Sequence, residues 1–237
     1  VDIGEDAFKN SSILSLVILE NDSSLKNIGK RAFYNTHLKK ISFFPRSLIS
    51  IQKEAFMDTH IGTLYMQYAL NLKSIGVNCF KRCKKLRGQI VLPEALEELG
   101  EGAFKNCLNI DSVTIFSGVK KVNKSTFSKC EKLKTVYFTT GENIINQPLE
   151  LDDSCFRDCP SLDTVVFRRR VTKISKNSFH GCPNLKNIIF HEPPSFREFP
   201  FSTNPSKQPS LSKIVVPEGF RFTNLPRDCL DLVINES

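Results

Sequence analysis

The chain has 237 residues, 40% of them hydrophobic, which is enough apolar content for a continuous core. No stretch approaches the roughly 18 consecutive apolar residues of a membrane helix, so no membrane-spanning segment is expected. The formal charge of +8 favours anionic partners only weakly, because Lys-rich solvated surfaces are common. The first residues, Val1-Asp2-Ile3-Gly4, carry no initiator Met and no leader-like run, and they fall at the start of a repeat. An excised or processed segment is the expectation.

Self-similarity organises the rest. In chain order, one phrase recurs as Ile3…Ala7-Phe8, Ile28…Ala32-Phe33, Ile51…Ala55-Phe56 and Ile75…Cys79-Phe80. It continues as Leu99…Ala103-Phe104, Val122…Thr126-Phe127, Leu151…Cys155-Phe156 and Ile174…Ser178-Phe179. The residue before each Phe is small, which implies a steric limit at that point of a turn.

A second phrase follows each Phe. It reads Ile13-x-x-Leu16-x-Ile18, Leu38-x-x-Ile41-x-Phe43 and Ile61-x-x-Leu64-x-Met66. The fourth copy slips by one residue, as Leu86, Ile90 and Leu92. Later copies are Ile110-x-x-Val113-x-Ile115, Leu133-x-x-Val136-x-Phe138, Leu162-x-x-Val165-x-Phe167, Leu185-x-x-Ile188-x-Phe190 and Leu211-x-x-Ile214-x-Val216. Its closing alternation has period two, the mark of a short strand with one buried face. The predicted fold is a solenoid: a curved parallel sheet with one short strand per repeat, and turns or short helical pieces on the return side. No single repeat buries its Ile, Phe and Leu alone; stacking turns each column into a ladder.

The pattern Ile-x-x-x-Ala-Phe-x-x-Cys-x-x-Leu-x-x-Ile-x-Ile/Phe resembles the BspA-like leucine-rich repeats. The resemblance covers about residues 1–217. It implies a curved leucine-rich-repeat solenoid, usually at a cell surface and often tied to adhesion or host interaction.

Two segments interrupt the period. Thr139 to Glu150 lengthens the sixth repeat, and Glu192 to Ser210 carries five prolines. The expected organisation is a repeat array over 1–217, with the Pro-rich insertion at 192–210, and a C-terminal cap over 218–237. The cap is expected because an open sheet edge invites pairing with other chains.

Five of the eight cysteines, Cys83, Cys107, Cys130, Cys159 and Cys182, lie three residues after their Phe. Ser11, Thr36 and Thr59 hold that place in the first three repeats. The column therefore accepts a small hydroxyl or thiol, and buried free thiols are expected rather than disulfides or zinc. His37 and His60 share a column and are expected as neighbours, with Asp58 close by. That ligand set is short for a metal, so solvated turn histidines are the reading adopted. No catalytic motif is present, so neither an enzyme nor a cofactor is expected.

What remains is surface. The strand residues between the buried ones are expected on the concave face. They form a small polar stripe containing Thr135, Thr164 and Asn187, beside a mixed stripe containing Tyr65, Thr114 and Tyr137. These six are the expected ligand-binding residues, with Tyr65 and Tyr137 roughly 14 Å apart by strand spacing. Tyr among small polar residues suits protein recognition. Arg168, Arg169 and Arg170 are expected as a basic rim open to an acidic glycan or another polyanion. No aromatic base-stacking platform accompanies them, which argues against nucleic acid. The functional expectation is a non-catalytic binding module with a protein ligand, at the cell surface or outside the cell. The alternative is an intracellular, cytoplasmic scaffold for cytoskeletal or signalling partners.

Overall fold

The computed structural model describes residues 1–12, 16–17, 19, 23–141, 147–175, 177–195, 211–222 and 227–235. It is a parallel β-solenoid. Its only helical pieces among those residues are two 3-10 segments, Met66–Tyr68 and Arg227–Leu232.

The second phrase builds the front of the coil. A seven-stranded sheet runs from Arg87–Val91 through Asn109–Phe116, Thr135–Thr139, Thr164–Phe167, Asn187–Phe190 and Lys213–Val216 to Val233–Asn235. All its pairings are parallel. The slip in the fourth repeat is a register shift between Gly88 and Gln89. Gly88 absorbs the extra residue at φ 81°, a left-handed conformation that only glycine adopts without strain. Leu16–Val17 and Lys40–Ile41 pair separately, so the front sheet is interrupted at the third repeat.

The back of the coil differs from expectation. The aliphatic residue that opens each Ala-Phe phrase lies on its own short parallel strand. Asp2–Ile3, Asn27–Ile28, Ser50–Ile51, Ser74–Ile75 and Glu98–Leu99 form one sheet; Lys121–Val122, Leu149–Leu151 and Val171–Ile174 form another. Repeats therefore contribute two strands, not one. A second departure lies at the Leu38 copy, where Phe44 is buried in place of Phe43. The Ile13–Ile18 copy lies largely outside the described residues.

Between the two strands, the Ala-Phe phrase folds into consecutive turns. Positive φ recurs two residues before and two after the Phe: Arg31 and Asn35 flank Phe33, Glu54 and Asp58 flank Phe56, Ser125 and Lys129 flank Phe127. The turns stack through backbone hydrogen bonds, with the Phe N–H donating to the carbonyl of the residue before the next Phe. Examples are Phe33 to Ala55 at 2.8 Å and Phe80 to Ala103 at 2.7 Å. That close approach explains the small-residue column; Ala32, Ala55, Cys79, Ala103, Thr126, Cys155 and Ser178 are all fully buried.

The Phe rings stack from Phe8 through Phe33, Phe56, Phe80, Phe104, Phe127 and Phe156 to Phe179, with centroids 5.0–5.5 Å apart. A second ladder, Phe138–Phe167–Phe190, rises beneath the front sheet and meets Phe156 edge-on at 6.1 Å. Offset and edge contacts suit the ring quadrupole, beyond the gain from burial.

Candidate functional site

The register of the front sheet places the outward side chains in two rows. One row reads Gln89, Ser112, Thr135, Thr164, Asn187 and Lys213. The other reads Val91, Thr114, Tyr137, Val166, Ile189, Val215 and Ile234. The polar row is tied together at its centre. Asn187 Nδ2 donates to Thr164 Oγ1 at 3.1 Å, and Thr164 Oγ1 donates to Asp163 Oδ2 at 2.6 Å. In the other row Tyr137 stands exposed between half-buried Thr114 and buried Val166.

Five of the six expected binding residues, Thr114, Thr135, Tyr137, Thr164 and Asn187, therefore share one continuous face. Tyr65 does not. It precedes the 3-10 turn Met66–Tyr68, outside the front sheet, and no strand ladder links it to Tyr137. It lines an open cleft of about 460 Å³ with Ser42, Phe43, Arg46 and Tyr68. Sequence reasoning missed Tyr68, Arg46 and Phe43 there, because the break in the sheet carries no period.

The expected basic rim also divides. Arg168 and Arg170 are exposed, but Arg169 is fully buried. Its Nη2 donates to the Val119 carbonyl at 2.8 Å. Among the described residues Nε and Nη1 have no partner, nor does the buried Ser117 Oγ. Burial lowers the Arg169 pKa to about 10. Arg169 is thus a buried residue, not a rim residue. Inward Phe167 and Val171 flank it two residues away on either side, so the in-out alternation carries past the strand end.

The cysteine column is buried and every thiol in it is free. Cys83, Cys107, Cys130, Cys159 and Cys182 each donate to the carbonyl oxygen of the Phe one turn back, at 3.1–3.4 Å. Burial pushes the thiols of Cys107, Cys130 and Cys159 up; for Cys182 the neighbouring Cys159 is the larger cause. His37 and His60 are neighbours as expected, stacked at 5.1 Å and exposed. Asp58 is engaged elsewhere, accepting from Arg82 Nε at 2.6 Å and from Arg82 Nη2. Among the described residues no helix is long and apolar enough to cross a membrane.

The family model for the BspA type leucine-rich repeat region matches residues 66–149 and 149–225, in six copies. Two solved structures are similar. One is the leucine-rich-repeat protein of T. pallidum, 27% identical, with a TM-score of 0.58, covering 68% of this chain and 71% of that one. The other is a leucine-rich-repeat protein from Bacteroides ovatus ATCC 8483, 22% identical with a TM-score of 0.54. That match covers 90% of this chain and 63% of the length of the Bacteroides protein. No curated protein matches significantly.

Proposed function

We propose, on the premise that this chain belongs to the BspA-type leucine-rich-repeat family, that it is a non-catalytic binding module whose protein ligand lies across the outward face of the front sheet. The observation that carries this is the pair of in-register rows centred on Thr135 and Tyr137. Parallel sheets are ordinarily covered on both faces. Here one face packs on the Phe and Leu core, while the other presents β-branched, small polar and Tyr side chains outward. Rigid aromatic area beside adaptable hydroxyls is the chemistry of protein recognition. A ligand on this face protects Tyr137 from nitration when a membrane-protein extract is added. Unchanged Tyr137 reactivity under saturating binding contradicts the proposal.

The finer reading is a cell-surface protein active in adhesion or host interaction. Its support is the repeat family, whose pattern is typical of surface proteins. Antibody staining of intact against permeabilised cells tests it; signal only after permeabilisation favours an intracellular scaffold. The array is read as residues 1–217 and the cap as 218–237. Val233–Asn235 pairs in parallel with Lys213–Val216, so the tail extends the sheet by one strand.

A further inference from the structure

The cleft at the interruption of the front sheet has unused binding chemistry. Tyr68 is 60% exposed and Tyr65 48%, and Phe43 beside them in the lining is half-buried. Most Phe rings in the core stack on a neighbour. Among the described residues, no ring packs against Phe43, Tyr65 or Tyr68, and neither phenol hydroxyl has a hydrogen-bond partner. Arg46 is exposed and has no carboxylate partner among the described residues, whereas Arg31 pairs with Asp6 and Arg82 with Asp58.

We propose that this cleft binds an anionic sugar, a pyranose ring bearing a carboxylate. Three aromatic faces offer flat apolar area to the C–H face of a sugar ring, and the two phenols reach its hydroxyls. Among the described residues the Arg46 guanidinium is the one charged group in the lining, and it pairs with one carboxylate. The cleft volume of about 460 Å³ lies within the range of small-ligand sites.

A peptide fits the lining less well. Extended peptides gain affinity from main-chain hydrogen bonds to a free strand edge. Around this cleft several polar backbone groups are engaged internally. The Met66 carbonyl accepts from Ala69, the Tyr68 carbonyl from Leu70, the Pro45 carbonyl from Leu48, and the Arg46 carbonyl from Asn71 Nδ2. Ser42 Oγ donates to the Leu19 carbonyl and accepts from the Leu19 N–H. Those carbonyls are not open to a peptide's N–H groups, so recognition here falls mainly to side-chain faces and tips. Polyanions are also disfavoured, because among the described residues a single cation lines the site.

The test is a titration by saturation-transfer NMR with 3′-sialyllactose and glucuronic acid, against lactose and glucose as neutral counterparts. Acidic sugars are expected to bind about tenfold more tightly than the neutral ones, the scale of one charge-assisted contact. Arg46→Gln removes that preference, Arg46→Lys keeps part of it, and Tyr68→Ala weakens all binding. These side chains are exposed, so the melting temperature stays unchanged and a folding defect is separable. Tyr137→Ala leaves sugar binding intact, which keeps this site distinct from the front face. Equal affinity for acidic and neutral sugars overturns the proposal. So does undiminished preference in Arg46→Gln, or a Glu-rich peptide binding the cleft where no sugar does.

Discussion

The Cys107 thiol donates to the Phe80 carbonyl oxygen, one turn back, at 3.1 Å. That oxygen also accepts the Cys83 N–H at 3.1 Å, so both lone pairs are used. The thiol-to-carbonyl bond recurs at Cys83, Cys130, Cys159 and Cys182, which explains why the column takes a small donor. Cys107→Ala loses this contact and leaves a small void. The expected cost is about 1–2 kcal/mol in urea unfolding.

Thiol chemistry follows from the same burial. The thiolate is the reactive form, and burial pushes the Cys79, Cys107 and Cys159 thiols well above the ordinary value near 9. In the native chain these thiols stay unreactive to a disulfide reagent at pH 8, and all eight react after denaturation. The linkage sign is that of an acid whose pKa is raised by folding. Stability is full below about pH 9 and is lost above it, as the unfolded thiols ionise and the folded ones do not. A melting temperature flat to pH 8 and falling above pH 9, less steeply in Cys107→Thr, is the expected profile.

Phe104 is fully buried between Phe80 and Phe127, whereas Phe8 is 42% exposed. Phe104→Ala is expected to cost about 3–5 kcal/mol. Phe8→Ala costs clearly less, because among the described residues it stacks on Phe33 alone. Denaturant melts with equal losses at both sites contradict the nearest-neighbour picture of the stack.

Much of this was legible because repetition multiplies weak signals. The Ala-Phe phrase predicted the Phe ladder and the small-residue column, and the slip at Leu86–Ile90 marked the bulge at Gly88. The back strands were not legible, since two-residue strands such as Asn27–Ile28 are too short to show alternation. The left-handed turn positions were hidden because most hold Asn, Asp, Arg, Lys or Ser instead of glycine. Tyr65 was misplaced because the repeat frame continues through a region where the sheet does not.

Those turn positions make a direct prediction. Lys129 is exposed at φ 61°, in the column where Gly181 also has positive φ. Lys129→Gly is expected to stabilise by up to about 1 kcal/mol by relieving left-handed strain. Lys129→Ala brings no such gain, because its Cβ remains. A melt in which Ala and Gly behave alike removes strain as the explanation.

Arg169 changes how the basic edge is to be probed. A buried guanidinium with two unpartnered nitrogens is a net cost to folding. Arg169→Met is expected to raise stability by about 1–2 kcal/mol, even with the Val119 carbonyl losing its donor. Because the folded pKa is depressed to about 10, the burial cost applies below that pH and the gap between the two proteins narrows above it. Arg169→Glu places an unpaired carboxylate in the core, so charge reversal across all three arginines reads folding as well as binding.

The front face is tested most directly by equilibrium binding of the labelled chain to a membrane-protein extract at low and high salt. The wild type is compared with Tyr137→Ala and with the double reversal Arg168→Glu/Arg170→Glu. Front-face recognition predicts that Tyr137→Ala weakens binding by at least about 2 kcal/mol with no change in melting temperature, and that salt has little effect. Undiminished binding by Tyr137→Ala, together with loss in the arginine pair and steep salt dependence, contradicts the account and transfers the function to the basic rim.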